Sequence, residues 1–263
     1  MVTRCTIAEF TPFHTGWLLP GVLSVTAGAV DAISFLALGG LFSAHITGNL
    51  VILAAHYVVG GFSEVGPLLS VPLFVAVLGA VTVVSRAREK AGHSSRRTLF
   101  VLQAALLVGC LGFGAAFGPF TDADRPMAVF VGMLAIAAMA TQNALVKLAL
   151  PGAPSTSAMT ANTTQLTIDL AMLTVRRGEP DDLARARRRA SARFPCVLGF
   201  VIGSAAGALL ELHFGLWGLV LPVVLAVLAV PMGELWTDAR PTAHEPAQAA
   251  SYKMGPARPN TED

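Results

Sequence analysis

Eight polar residues stand out inside or beside apolar stretches of this chain: Asp31, His45, Thr47, Asn49, Asn143, Thr160, Asn162 and Asp169. Thr47, Asn49, Thr160 and Asn162 offer hydroxyl and amide groups, the chemistry that binds a small polar or anionic solute. Asp31, His45 and Asp169 add groups that titrate or hold a coupling cation. A carboxylate within a membrane segment is costly and usually functional. Plainer roles are open for each. Threonine favours helix N-caps, asparagine can lock a turn by bonding nearby backbone, and Asp31 can sit neutral and hydrogen-bonded in the core. Asp169, late in its segment, can reach the interface, and His45 can be a satisfied polar residue. No nucleophile or metal-ligand spacing accompanies the eight, and the three cysteines form no metal motif. An enzyme, a metal and a cofactor are therefore not expected.

The elements that must position these residues follow from composition. The chain has 263 residues, 54% hydrophobic and 13% charged, with a mean hydropathy of +0.65. A soluble domain carries about 25% charged residues, so the class is an all-α polytopic membrane protein. The formal charge of +2 is too small to argue for a nucleic-acid partner; the expected partners are the bilayer and a small solute, with a homo-oligomer open. Apolar runs cover 16–38, 47–60, 66–85, 98–118, 127–150, 160–175, 195–212 and 215–232. Six are long enough to span. Those at 47–60 and 160–175 reach only about 21–24 Å as helices, short of a core of about 30 Å.

The two short runs sit in matching contexts. Asp31 and Ala32, then His45-Ile-Thr-Gly-Asn49, align with Asn143 and Ala144, then Ala158-Met-Thr-Ala-Asn162, after one inserted residue. Thr47 falls on Thr160 and Asn49 on Asn162. Pro72, Ala76 and Ala80 parallel Pro195, Gly199 and Gly203, and Gly207 extends the second stripe. Such small-residue spacing lets helices approach closely in lipid. The pattern reads as an internal duplication.

Charge sets the orientation. Twelve of the 18 Lys and Arg fall in two stretches. Arg86, Arg88, Lys90, Arg96 and Arg97 form one loop, and Arg176, Arg177, Arg185, Arg187, Arg188, Arg189 and Arg193 the other. Both belong inside. That requires two crossings between them, so 160–175 is a re-entrant half-helix and 47–60 its mate. Each half then has three crossings, which inserts the halves in opposite orientation. Both termini lie inside. Lys147, near a helix end, snorkels to the head groups.

The runs Gly28-Ala-Val-Asp31 through Gly40, His45-Ile-Thr-Gly-Asn-Leu50, Gln142-Asn143-Ala144 and Met159-Thr160-Ala161-Asn162 resemble the YoaK-like bacterial integral membrane family, a domain-of-unknown-function family. Ala161 stands where the family pattern often has glycine. The resemblance covers about residues 16–236 and implies a polytopic inner-membrane protein without bringing a substrate.

The expected architecture is six transmembrane helices plus two short re-entrant half-helices in an inverted-topology repeat. Residues 1–15 form an N-terminal cytoplasmic segment, 16–118 the first repeat, 119–126 an extracytoplasmic linker, 127–236 the second repeat and 237–263 a disordered cytoplasmic tail. Interrupted helices at corresponding positions of two halves point to a transport site. The expected function is a secondary transporter or channel for a small polar or anionic solute at the midplane. The alternative is a non-transporting scaffold or stress-related interaction protein.

Overall fold

The computed structural model describes residues 17–60, 63–175 and 179–236. Every regular element among them is helical: α1 Leu18–Ala37, α2 Ile46–Val59, α3 Val65–Lys90, α4 Arg96–Phe117, α5 Pro126–Ala149, α6 Met159–Val175, α7 Pro180–Phe214 and α8 Val220–Glu234, with a 3-10 segment Gly215–Leu219 joining the last two. The expected terminal segment 1–15 and tail 237–263 lie outside the described residues, as do Arg176 and Arg177.

Among the described residues, five stretches are long and apolar enough to cross a membrane: α1, α3, α4, α5 and the run Pro180–Glu234. The last holds both α7 and α8. The short apolar α2 has 14 residues and α6 has 17, about 21 and 26 Å at 1.5 Å per residue. Burial ranks the helices. Of the most apolar window, 67% is buried in α1 and 72% in α5, against 17% in α3, so α1 and α5 form the centre and α3 the periphery.

Two basic stretches expected as loops are largely helical. Arg86, Arg88 and Lys90 extend α3, and Arg185 to Arg193 lie on α7. The reason is local. Pro180 opens α7 with a preset φ, Asp181 and Asp182 complement its first-turn dipole, and alanines alternate with arginines that are good helix formers. Charge hides such a helix from a search for apolar runs.

Packing is organised by pairs. α1 contacts α7, α8 and α5; α5 contacts α3 and α4; α2 packs on α3, α6 on α7, and α4 on α8. Exchanging α1 with α5, α2 with α6, α3 with α7 and α4 with α8 returns the same set of pairs.

The tightest crossing is α1 on α7. A Cβ at Gly199, Gly203 or Gly207 would lie 2.7, 2.2 and 2.6 Å from the carbonyl oxygens of Gly21, Val25 and Ala29. Gly28 faces the Phe200 carbonyl at 2.4 Å in the same way. Only glycine permits this approach. Because Gly21, Val25 and Ala29 meet Gly199, Gly203 and Gly207 in that order, α1 and α7 run parallel. The expected first copy of the stripe does not pack: Pro72, Ala76 and Ala80 lie on the exposed side of α3. The face of α3 that packs on the core carries Leu73, Phe74, Val77, Leu78 and Val81 instead.

Helix ends are tied across the bundle. Arg96, opening α4, donates to the Ala149 carbonyl at 3.2 Å and the Trp236 carbonyl at 2.8 Å, at the ends of α5 and α8. At the other end, Asp124 before α5 accepts from the Ser63 hydroxyl at 2.8 Å and the Val65 amide at 3.0 Å, capping α3. Gly39, just past α1 with φ +63°, meets Ser63 and Ala123 there. The conformation and the crowding both require glycine.

Candidate functional site

The turn leading into α2 is built around Asp31. Its Oδ1 accepts the backbone N–H of Ser43 at 2.8 Å, of Ala44 at 2.7 Å and of His45 at 3.4 Å. Its Oδ2 lies 2.7 Å from Nδ1 of His45. Asp31 and Ser43 are buried. A carboxylate from α1 thus holds the turn that precedes α2, satisfying the N–H groups of Ser43, Ala44 and His45 ahead of the first helical residue, Ile46. That contact engages Nδ1 and leaves Nε2 as the ring's remaining polar atom.

Asn49 closes the same turn. Its side-chain oxygen accepts the Phe42 N–H at 2.8 Å and its amide donates to the Phe42 carbonyl at 2.8 Å. Asn162 repeats half of this arrangement, donating to the Ser155 carbonyl at 2.6 Å, again seven residues back. Asn143 stands where Asp31 does: its Oδ1 accepts the Ser157 hydroxyl at 2.7 Å, and Ser157 aligns with Ala44. Ser155 Oγ accepts the Ala158 N–H at 3.1 Å, so the turn before α6 is held locally where that before α2 is held from α1. Both asparagines at the short-helix starts are buried beneath their turns. Neither is among the residues that line the cavity described next. Each is instead taken up by buried backbone groups of the turn before its helix.

Thr47 and Thr160 are second residues of α2 and α6 rather than N-caps. Both are exposed, and a cavity of about 370 Å³ brings them together with His45, Asn143, Ser157 and Ala158. No acidic or basic side chain other than His45 lines it. The two helix starts border it with the positive ends of their dipoles, which favours an anion or a polar acceptor. A second cavity, of about 630 Å³, adjoins His45 and Thr47 and has Asp31, Phe35, Phe42 and Phe200 in its walls.

Asp169 belongs to neither cavity. It is fully buried and paired with Arg189, whose Nε and Nη2 donate to Oδ1 at 3.1 and 2.8 Å, and with Arg193 at 3.4 Å. Gln165 donates to it at 3.2 Å. It fastens α6 to the charged start of α7. Lys147 is exposed.

Residues that sequence reasoning missed include Phe42, Ser157, Phe200 and Ser204. The signal for Ser157 was present, since it aligns with a residue bonded by Asp31; that for Phe200 and Ser204 was absent, because no spacing links them to His45. Asp124 also went unnoticed. Burial by itself raises its pKa, yet hydrogen bonds from Ser63, Val65 and Glu64 and the nearby His56 together hold it below the usual carboxylate range.

Comparison with known proteins agrees with the helical membrane architecture. The family described as "Protein of unknown function (DUF1275)" matches residues 19–232. The UPF0700 transmembrane protein YoaK of Bacillus subtilis (strain 168) is 31% identical over 126 residues, covering 46% of this chain and 55% of that protein. The chain therefore aligns with about half the length of this curated relative. No solved structure matches.

Proposed function

The chain belongs to the DUF1275 family, and from that premise we propose that it is an inner-membrane secondary transporter or channel for a small polar or anionic solute. The observation that carries this reading is the cavity of about 370 Å³ bordered by the starts of both short helices, with Thr47, Thr160, His45, Asn143 and Ser157 in its wall. Paired interrupted helices whose N-termini converge are the arrangement by which transporters hold a solute at depth.

The topology is six crossings, α7 and α8 counting separately, with α2 and α6 re-entrant and both termini cytoplasmic. Several contacts support it. α1 ends and α3 starts at one face, where Gly39 meets Ser63; α2 starts deep, at Asp31, and ends beside that face, with Tyr57 donating to Glu64 at 2.7 Å. In the second half, α6 starts beside Asn143 and ends at Arg189 and Arg193. The parallel course of α1 and α7 and the reach of Arg96 bring both basic stretches to one face, the cytoplasmic one by the positive-inside rule. Three crossings per half make the repeat inverted, which the exchange symmetry of the packing supports.

Proteoliposomes holding the full chain, screened for flux across classes of small anions and polar neutral solutes, test the reading. At least one class is expected to move, and the joint variant Thr47→Val with Thr160→Val is expected to slow it about tenfold or more. Absence of flux in every class, with partner proteins retained on purification, would favour the scaffold reading instead.

A further inference from the structure

Arg88 carries a charge that the protein does not balance. It lies near the end of α3, half-buried, and its Nε is buried without a hydrogen-bond acceptor among the described residues. The neighbouring cations are provided for within the chain. Arg86 pairs with Glu89 and Arg97 with Glu234, and Arg96 reaches the carbonyls that end α5 and α8. Among the described residues no carboxylate pairs with Arg88. A guanidinium partly withdrawn from water needs a counter-charge. The same side chain stands at one end of a cavity of about 150 Å³ between α3 and α4. Both helices pack on α5 rather than along each other, which leaves a cleft between them. Ala80 and Val84 of α3 and Thr98 and Leu102 of α4 line it, and all four are exposed. From Arg88 back to Ala80 the cleft follows α3 for about 12 Å.

We propose that this cleft binds an anionic phospholipid: the phosphate lies against the Arg88 guanidinium, and one acyl chain runs between α3 and α4 toward Ala80 and Leu102. The inference goes beyond the transport reading and needs only that α3 and α4 cross the bilayer. Three observations choose this occupant. The unbalanced charge selects an anion, and a guanidinium matches the geometry of phosphate. Arg88 sits at the end of an apolar span, the level at which head groups lie, and basic pockets between membrane helices are a setting in which acidic lipids are held. The volume of about 150 Å³ is below the roughly 300 Å³ at which solute sites begin. It suits a segment of chain rather than a whole solute. Ala80 belongs to the small-residue stripe that packs against no helix, and its short side chain leaves the deep end of the cleft unfilled.

The full chain, purified in detergent, is titrated with dioleoyl phosphatidylglycerol and dioleoyl phosphatidylcholine and read by native mass spectrometry. The first phosphatidylglycerol is expected to bind about fivefold more tightly than phosphatidylcholine, the contribution of one basic residue at a membrane surface. Arg88→Gln is expected to bring the ratio close to one and Arg88→Lys to keep most of it. Arg187→Gln, which removes an equal charge from the exposed start of α7, is expected to leave it unchanged. Ala80→Phe fills the cleft from a position that already faces outward, and should weaken both lipids about threefold or more. Glycerophosphoglycerol, the same head group without chains, is not expected to displace the lipid. Equal binding of the two lipids by the unaltered chain overturns the inference. So does an equal loss for Arg88→Gln and Arg187→Gln, which would mean diffuse attraction to charge. Displacement by glycerophosphoglycerol would make this a site for free phosphate, and a dimer that Ala80→Phe dissociates would make the occupant a second copy; either result overturns it. Each of these outcomes leaves the transport reading intact, because neither Arg88 nor Ala80 lines its cavity.

Discussion

Replacing Asp31 with alanine removes the acceptor that holds the turn into α2. Two backbone N–H groups, of Ser43 and Ala44, then lose partners at 2.8 and 2.7 Å in a place where both residues are buried. Each unsatisfied buried donor costs about 1–3 kcal/mol, so the pair costs about 2–6 kcal/mol before the His45 contact is counted. Asp31→Asn keeps an oxygen for the two amides and loses only the charge assistance, about 1–2 kcal/mol. For a chain of this size 1 kcal/mol moves the melting temperature by about 2–4 °C. Alanine should therefore lower it by roughly 5–20 °C and asparagine by a few degrees. Heating in nanodiscs, followed by size-exclusion analysis of the surviving folded fraction, measures both. Asparagine as damaging as alanine would refute the reasoning, because charge rather than donor satisfaction would then hold the turn.

Other consequences follow from single contacts. Gly203→Ala puts a Cβ 2.2 Å from the Val25 carbonyl and should destabilise by about 1–3 kcal/mol. Gly79→Ala, with nothing within 4 Å, should be neutral or stabilising by up to about 1 kcal/mol; paired melts compare them. Asp169→Leu removes the buried partner of Arg189 and Arg193, and because those arginines are partly solvated the loss should be about 1–3 kcal/mol, read by the same melts. Asp124 is held below the usual carboxylate range. Its stabilisation is full above an unfolded value of about 3.9 and fades as pH falls through the lower folded value. The melting gap between wild type and Asp124→Asn should be complete near neutral pH and close in acid, and a gap independent of pH would contradict the cap.

Much of the architecture was legible because membrane helices are read from long apolar runs. The correspondence of Asn49 with Asn162 was legible too, and in the structure both donate to a carbonyl seven residues back. The role was harder to read than the position. An asparagine offers the same groups to a solute or to backbone, and here burial beneath a turn commits them to backbone. Asp169 illustrates a second limit: its partners lie on the charged start of α7, twenty and more residues away, in a helix that apolarity does not reveal. The matching small-residue stripes show a third. Spacing fixes a face of a helix but not its neighbour, so Gly199 and Gly203 are buried against α1 while Ala76 and Ala80 are exposed. The cavity wall at Phe200 depends on that same α1–α7 crossing and carries no sequence signal of its own.

The claim that α2 and α6 start at a watered cavity is tested most directly by thiol labelling at its two threonines. Thr47→Cys and Thr160→Cys, each in a chain with Cys5, Cys110 and Cys196 replaced by alanine, are treated in proteoliposomes with a membrane-impermeant maleimide. Both cysteines are expected to react. Two folded variants that stay unlabelled from either side of the bilayer would mean a dry helix junction and would contradict the account.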